Sequence, residues 1–99
     1  MAEEKTGKLG SSVLFENEHV KVWRNDLEPG EASDLHHHSM HYLFVATSHG
    51  DLRIEHADGT SGENIMEIGS VVMGEKDSTH RLVNAGPKPY SSVIIEIKS

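Results

Sequence analysis

From Ser12 onward, apolar and polar residues alternate with a period of two rather than 3.6, the pattern of strands whose successive side chains point to opposite faces. A short apolar run at residues 13–15 ends at Glu16-Asn17-Glu18, and residues 19–27 alternate until Pro29-Gly30 makes a strong turn. Residues 35–38 and 42–47 follow, the latter rich in strand formers. Gly50 turns the chain into 51–56, and Asp58-Gly59 is a hairpin signal leading back through 63–68. Gly69 opens residues 71–73, residues 80–83 come next, and Gly86-Pro87 separates these from 90–97. No segment carries a helical apolar stripe of about ten residues or more. Eight or more short strands at roughly ten-residue spacing predict an all-β sandwich or barrel.

The last predicted strand is apolar on both sides: Val93, Ile95 and Ile97 lie on one face and Ile94 on the other. Such a strand is usually covered twice. The chain has 99 residues, of which 35% are hydrophobic, so one domain is expected, with a core too small for comfort. A second copy covering part of its apolar surface is therefore expected, a homodimer joined near the N-terminal strands or through a shared sheet face. Residues 1–11 contain Gly7 and Gly10 among mixed charges and read as an arm, mobile or ordered by a partner; residues 12–99 read as the single domain.

A formal charge of −7 argues against nucleic acid or an anionic membrane surface as a partner. There is no cysteine, which removes disulfides and thiolate metal sites. The acidic, polar start is unlike a signal peptide, and no apolar stretch approaches the ~20 residues of a membrane span. A cytoplasmic protein that binds a small molecule is the expectation.

The chemistry concentrates in histidines. His36 and His38 are two apart on a predicted strand, so both rings face one way while His37 faces the other. Two imidazoles about 7 Å apart along a face can converge on one ion through metal–nitrogen bonds of about 2 Å. His80, just before another apolar run, can supply a third nitrogen from a neighbouring strand. The alternative is three histidines lining a barrel without metal.

These residues resemble the motifs of the cupins, small double-stranded β-helix (jelly-roll) barrels. The first motif of that family runs Gly, five residues, His-x-His, three or four residues, Glu, six residues, Gly; Gly30, His36, His38 and Gly50 match its frame. The second runs Gly, five residues, Pro-x-Gly, two residues, His, three residues, Asn; Gly69, His80 and Asn84 keep its spacings, with Glu75 and Asp77 in place of the Pro and Gly. The resemblance covers about residues 13–97 and implies an all-β cupin barrel with a metal site at His36, His38 and His80. The glutamate that completes the family's site is absent. Its position falls on Tyr42 or Leu43 by the two counts, and Gly50 favours the second. His41 stands as a further candidate ligand and Tyr42 as a candidate for substrate binding.

Three neutral imidazoles leave a divalent ion its full charge, so such a site favours an anionic ligand. Imidazole suits Zn, Ni, Fe, Co or Cu, and Mn completes the candidate divalent metals. The three-histidine pattern resembles that of cupin-type thiol and diketone dioxygenases, in the ligands only. Two function classes stay open. One is a metal-dependent enzyme of oxygenase, isomerase or hydrolase type acting on a small carboxylate or oxygen-rich molecule. The other is a non-catalytic cupin binding a metal or small ligand for sensing, storage or dimerisation. His19, His49 and His56 read as surface residues, Arg53 as solvent-facing, Trp23 and Phe44 as core or dimer contacts, and Asn84 as structural.

Overall fold

A computed structural model describes residues 10–74 and 76–98. Of the expected arm, residues 1–9 lie outside the described residues, and so does Glu75 at the motif's proline position. Gly10 and Ser11 already belong to the folded domain: the Ser11 N–H donates to the Arg24 carbonyl at 2.7 Å.

Nine strands run β1 (Ser12–Glu16), β2 (Val20–Leu27), β3 (His36–His38), β4 (His41–Ala46), β5 (Gly50–His56), β6 (Ser61–Met66), β7 (Val71–Gly74), β8 (Ser78–Asn84) and β9 (Tyr90–Ile97). All pair antiparallel, in a five-stranded sheet of order β1-β2-β9-β4-β7 and a four-stranded sheet of order β3-β8-β5-β6. The alternation predicts such an all-β sandwich or barrel, and the cupin resemblance implies its jelly-roll form. Among the described residues no helix is long and apolar enough to cross a membrane. Boundaries move by a residue or two, most visibly where β6 stops at Met66, because Glu67 opens a turn in which Ser70 N–H returns to its carbonyl at 3.0 Å, leaving Ile68 exposed.

The core fills the space between the sheets. Leu27, Ala46 and Tyr90 from the five-stranded sheet meet Leu52 and Met66 from the other. Trp23, Tyr42 and Ile94 form a second cluster, where the Trp23 indole N–H donates to the buried Glu96 carboxylate at 2.8 Å. Alternation explains these choices: on β9 the positions of Tyr90, Ser92, Ile94 and Glu96 are buried and the residues between them half-buried. Asn84 is structural, as expected. It is fully buried, donates to the Leu27 and Lys88 carbonyls at 3.0 and 2.8 Å, and accepts from Gly86 N–H at 3.0 Å. One side chain thus ties the end of β2 to the loop between β8 and β9.

Candidate metal centre

β8 lies between β3 and β5, which sets His80 opposite His36 on one side and opposite His56 on the other. His38 sits two residues along β3 from His36. The pleat turns His36 and His38 inward, where they are 4% and 1% exposed, and His37 outward, where its Nδ1 meets the Thr79 hydroxyl at 2.7 Å. The ring centroids of His36, His38 and His80 form a near-equilateral triangle of 4.8, 4.9 and 4.9 Å. One nitrogen from each lies within 4.8 Å of the others.

The rings are prepared for ligation rather than for charge. Burial holds His38 down to about 3, with His36, His80 and His37 adding to the effect. Burial likewise holds His80 down to about 4, helped by His36 and His56. His36 is lowered by burial too, against the Asp34 carbonyl that favours its protonated form. Near neutral pH all three rings therefore keep a free lone pair. His36 Nδ1 is 2.8 Å from the Asp34 carbonyl oxygen and so donates there, which leaves Nε2 as its ligand atom. His38 Nε2 and His80 Nε2 lie 3.1 Å apart. Two nitrogens each ~2.1 Å from one ion at a right angle are about 3 Å apart, so this spacing suits two ligands of one metal. The His38 Nδ1 is buried without a partner, which leaves Nε2 as the only ring nitrogen of this residue with a neighbour. The three histidines are positioned to hold a metal ion, and the donor set fits a first-row divalent one.

Of the two positions on which the family's glutamate would fall, Tyr42 faces the histidine cluster and Leu43 lies on the other side of β4. Tyr42 alternates inward with Phe44 and Ala46, and its ring stacks on His38 at 3.6 Å between centroids and 13° between planes. Burial pushes its hydroxyl above the usual range, opposed in part by a hydrogen bond with Ser78. Room for the phenol comes from Gly74, paired with Tyr42 across β4 and β7, where any Cβ would fall on the ring. His41 is not brought into the group. It is exposed at the start of β4, with its Nδ1 accepting the Lys76 N–H at 3.3 Å. Asp77, in place of the motif's glycine, takes a left-handed φ of 70°, and its N–H donates to the His38 carbonyl at 2.6 Å. A left-handed φ suits the glycine of the motif better than the aspartate found here.

The histidines open onto a cavity of about 400 Å³. Its wall is mainly apolar, from Phe44, Ile54, Val72, Leu82 and Ile94, with Asn25 and Ser92 as buried polar groups and Lys76 as its one lysine or arginine. Among the described residues no carboxylate lines it. Phe44 therefore faces the cavity rather than a dimer contact. Arg53 faces outward as expected, its Nε 3.0 Å from a Glu55 carboxylate oxygen. His56, read from the sequence as a surface residue, is a cavity residue: exposed at the rim, with its ring 5.9 Å from that of His80. The alternation that points Leu52 and Ile54 inward on β5 already carried this signal, since His56 is the next position on that face.

No family model matches the chain, and no curated protein matches it. Solved structures do. A cupin domain from Bordetella pertussis Tohama I superposes with a TM-score of 0.83 at 28% identity, covering 99% of this chain and 100% of that one. An RmlC-like cupin family protein from Methanocaldococcus jannaschii gives a TM-score of 0.75 at 15% identity over 99% and 93% of the two chains. Oxalate oxidase gives 0.65 at 16% identity over 80% of this chain and 42% of its own. The last two share the fold alone. The protein is thus a double-stranded β-helix barrel with a cluster of three inward histidines. It belongs to the cupin superfamily.

Proposed function

We propose that this chain is a metal-binding cupin in which His36, His38 and His80 hold one divalent transition metal (Zn, Ni, Fe, Mn, Co or Cu) and the adjoining cavity takes a small carboxylate or oxygen-rich molecule. The observation that carries this reading is the convergence of three neutral imidazoles, two buried and one half-buried, on one point. Among the described lining residues no carboxylate offsets an ion's charge, which favours an anionic oxygen donor as the ligand. The apolar wall favours a hydrocarbon body on that donor, and Lys76 adds a cation at the cavity.

Bound there, the metal would supply Lewis acidity and, for a redox-active ion, oxygen activation. The chain's own residues do the rest. Tyr42 packs flat on His38 and fixes that ring, Asp34 fixes the tautomer of His36, and the apolar wall limits water. We read the protein as an enzyme of oxygenase, isomerase or hydrolase type, supported by the apolar cavity beside the cluster. Non-catalytic holding of a metal or small ligand is the second reading, favoured by a lining that, among the described residues, offers no carboxylate as general base. We also read it as a cytoplasmic homodimer without nucleic-acid or membrane partners, supported by its net charge of −7 and by the strand apolar on both faces.

The test is elemental analysis of protein purified without an affinity metal, together with His36→Ala and His80→Ala. Near-stoichiometric metal in the wild type, lost in both folded variants, is expected. Substoichiometric metal indifferent to either change overturns the site. A turnover screen under oxygen with small acids, diketones and thiols then separates enzyme from binding module.

A further inference from the structure

The cavity is polar at both ends. Its mouth carries the histidine cluster, with His56 and Lys76 exposed beside it. Register shows what lies deeper. Cross-strand rows of the five-stranded sheet descend from Tyr42 and Gly74, level with the cluster through the stack on His38, to Ile94, Phe44 and Val72, and then to Asn25, Ser92 and Ala46. Tyr42 and Ala46 are four residues apart on β4, so the last row lies ~13 Å below the first. The middle row is apolar, but the floor is not. Ser92 is 1% exposed, and its Oγ has no hydrogen-bond partner among the described residues. The buried Tyr90 hydroxyl, two residues along β9, comes close to it without closing a hydrogen bond. Asn25 pairs with Ser92 across β2 and β9 and is 3% exposed, and its amide likewise makes no hydrogen bond among the described residues. Buried polar groups left unpaired cost stability, and the neighbouring core positions are filled by Leu27, Ala46 and Ile94 without that cost.

We propose that Asn25 and Ser92 recognise the far end of the ligand whose acidic head binds at the histidine cluster, and that this end is an uncharged hydrogen-bonding group, a hydroxyl or an amide. The inference rests on the reading of the cluster as a metal centre and narrows its substrate class to short acids that end in such a group. The chemistry of the floor supports this. A serine hydroxyl and an asparagine amide both donate and accept, so together they complement a group that does the same. Among the described lining residues the one lysine or arginine, Lys76, stands exposed at the mouth, and no carboxylate is present. A charged group at the floor would therefore be buried without a counter-ion. Length supports it too. Of the ~13 Å between the rows, a metal bond of ~2 Å and a hydrogen bond of ~3 Å leave roughly 8 Å for the ligand. The apolar row between the two ends suits a short hydrocarbon chain.

The test titrates zinc-loaded protein with linear acids of about four to eight carbons, ended by a methyl, a hydroxyl or a second carboxylate, and follows amide NMR shifts. At the best length the hydroxyl-ended acid should bind at least ~10-fold tighter than the methyl-ended one, the worth of one buried hydrogen bond. It should also bind tighter than the diacid. An apolar floor would give the reverse order of the first pair, because the hydroxyl would be buried unpaired. Ser92→Ala should abolish the preference and keep the metal, and Asn25→Leu should abolish it as the second variant. Metal-free Ser92→Ala should melt at or above the wild type, since it removes an unpaired hydroxyl. A fall of about 4 °C or more, the mark of a lost hydrogen bond, overturns the proposal. Methyl-ended acids or diacids preferred by the wild type, or a hydroxyl preference kept in both variants, overturn it and leave the metal centre standing. Acids that bind not at all, or equally well to His80→Ala, overturn the metal-anchored reading and this inference together.

Discussion

Gly74→Ala isolates the device by which this barrel admits Tyr42 beside the histidine cluster. The added methyl would land on the Tyr42 phenol, at Cζ, Cε1 and the hydroxyl. Tyr42 is 6% exposed and sandwiched against His38 at 3.6 Å, so the ring cannot swing away without opening the cluster. Two responses remain. The ring leaves its stack, which costs about 0.5–1.5 kcal/mol of aromatic contact, or the edge strand β7 shifts outward and strains its pairing with β4. Overpacking of this kind costs about 1–3 kcal/mol, and 2 kcal/mol in a domain of this size lowers Tm by about 8–16 °C. Thermal melts of the chelator-treated protein followed by circular dichroism read this directly. The decisive comparison is a double-mutant cycle with Tyr42→Leu, which removes the clashing atoms. The two changes should couple favourably by about 1–2 kcal/mol, with Gly74→Ala nearly harmless in the Tyr42→Leu background. A Gly74→Ala protein melting within about 2 °C of wild type, or strictly additive losses in the cycle, would refute the argument that Gly74 exists to admit Tyr42.

Other outcomes follow from the same geometry. The buried rings of His38 and His80 resist protonation, so their neutral form is favoured in the fold relative to the unfolded chain near pH 6.5. Their contribution is complete above about pH 6.5 and is lost as pH falls toward 4 and then 3, on the order of 3 kcal/mol for the pair after allowing for water in the cavity. Urea unfolding of metal-free wild type and His80→Asn between pH 7 and 4.5 should show the shallower pH slope in the variant; parallel slopes would contradict it. Asn84→Ala strands the Leu27 and Lys88 carbonyls and the Gly86 N–H, and should cost about 3 kcal/mol in a denaturant melt. A loss under about 1 kcal/mol would mean that water replaces the side chain. Asp77→Gly should relieve the left-handed φ of 70° and stabilise by about 0.5–1 kcal/mol, measured as a higher urea midpoint; an unchanged or lower midpoint would show the Asp77 backbone to be unstrained.

Local patterning made the strands legible. The alternation along β2, β5 and β9 and the hairpin glycine at 59 are short-range signals, and the structure puts strands where they point. The pairing of His36 with His38 on one face was legible for the same reason, because a pleat has only two sides. The convergence of His80 on that pair needed the spacing of two motifs, since period two says which face a residue takes but not which strand lies beside it. His41 shows the limit of proximity in sequence: it is one residue from Tyr42, and the pleat sends it to the opposite, exposed side.

What the sequence determined alone was the strand period and the inward pair of histidines, which depend on neighbours within a few positions, and the absence of thiol chemistry and the acidic charge, which depend on composition only. Tertiary structure alone decided the rest. Only the neighbouring of β3, β8 and β5 in one sheet makes a triangle of His36, His38 and His80 with His56 at its rim. Only the pairing of β4 with β7 shows that a glycine makes way for the Tyr42 ring. Only the registers of β2, β9 and β4 set Asn25 and Ser92 side by side beneath the apolar wall. The reason is the same in each case: these properties depend on which strands become neighbours, and that is set by closure of the whole barrel rather than by any segment's own alternation.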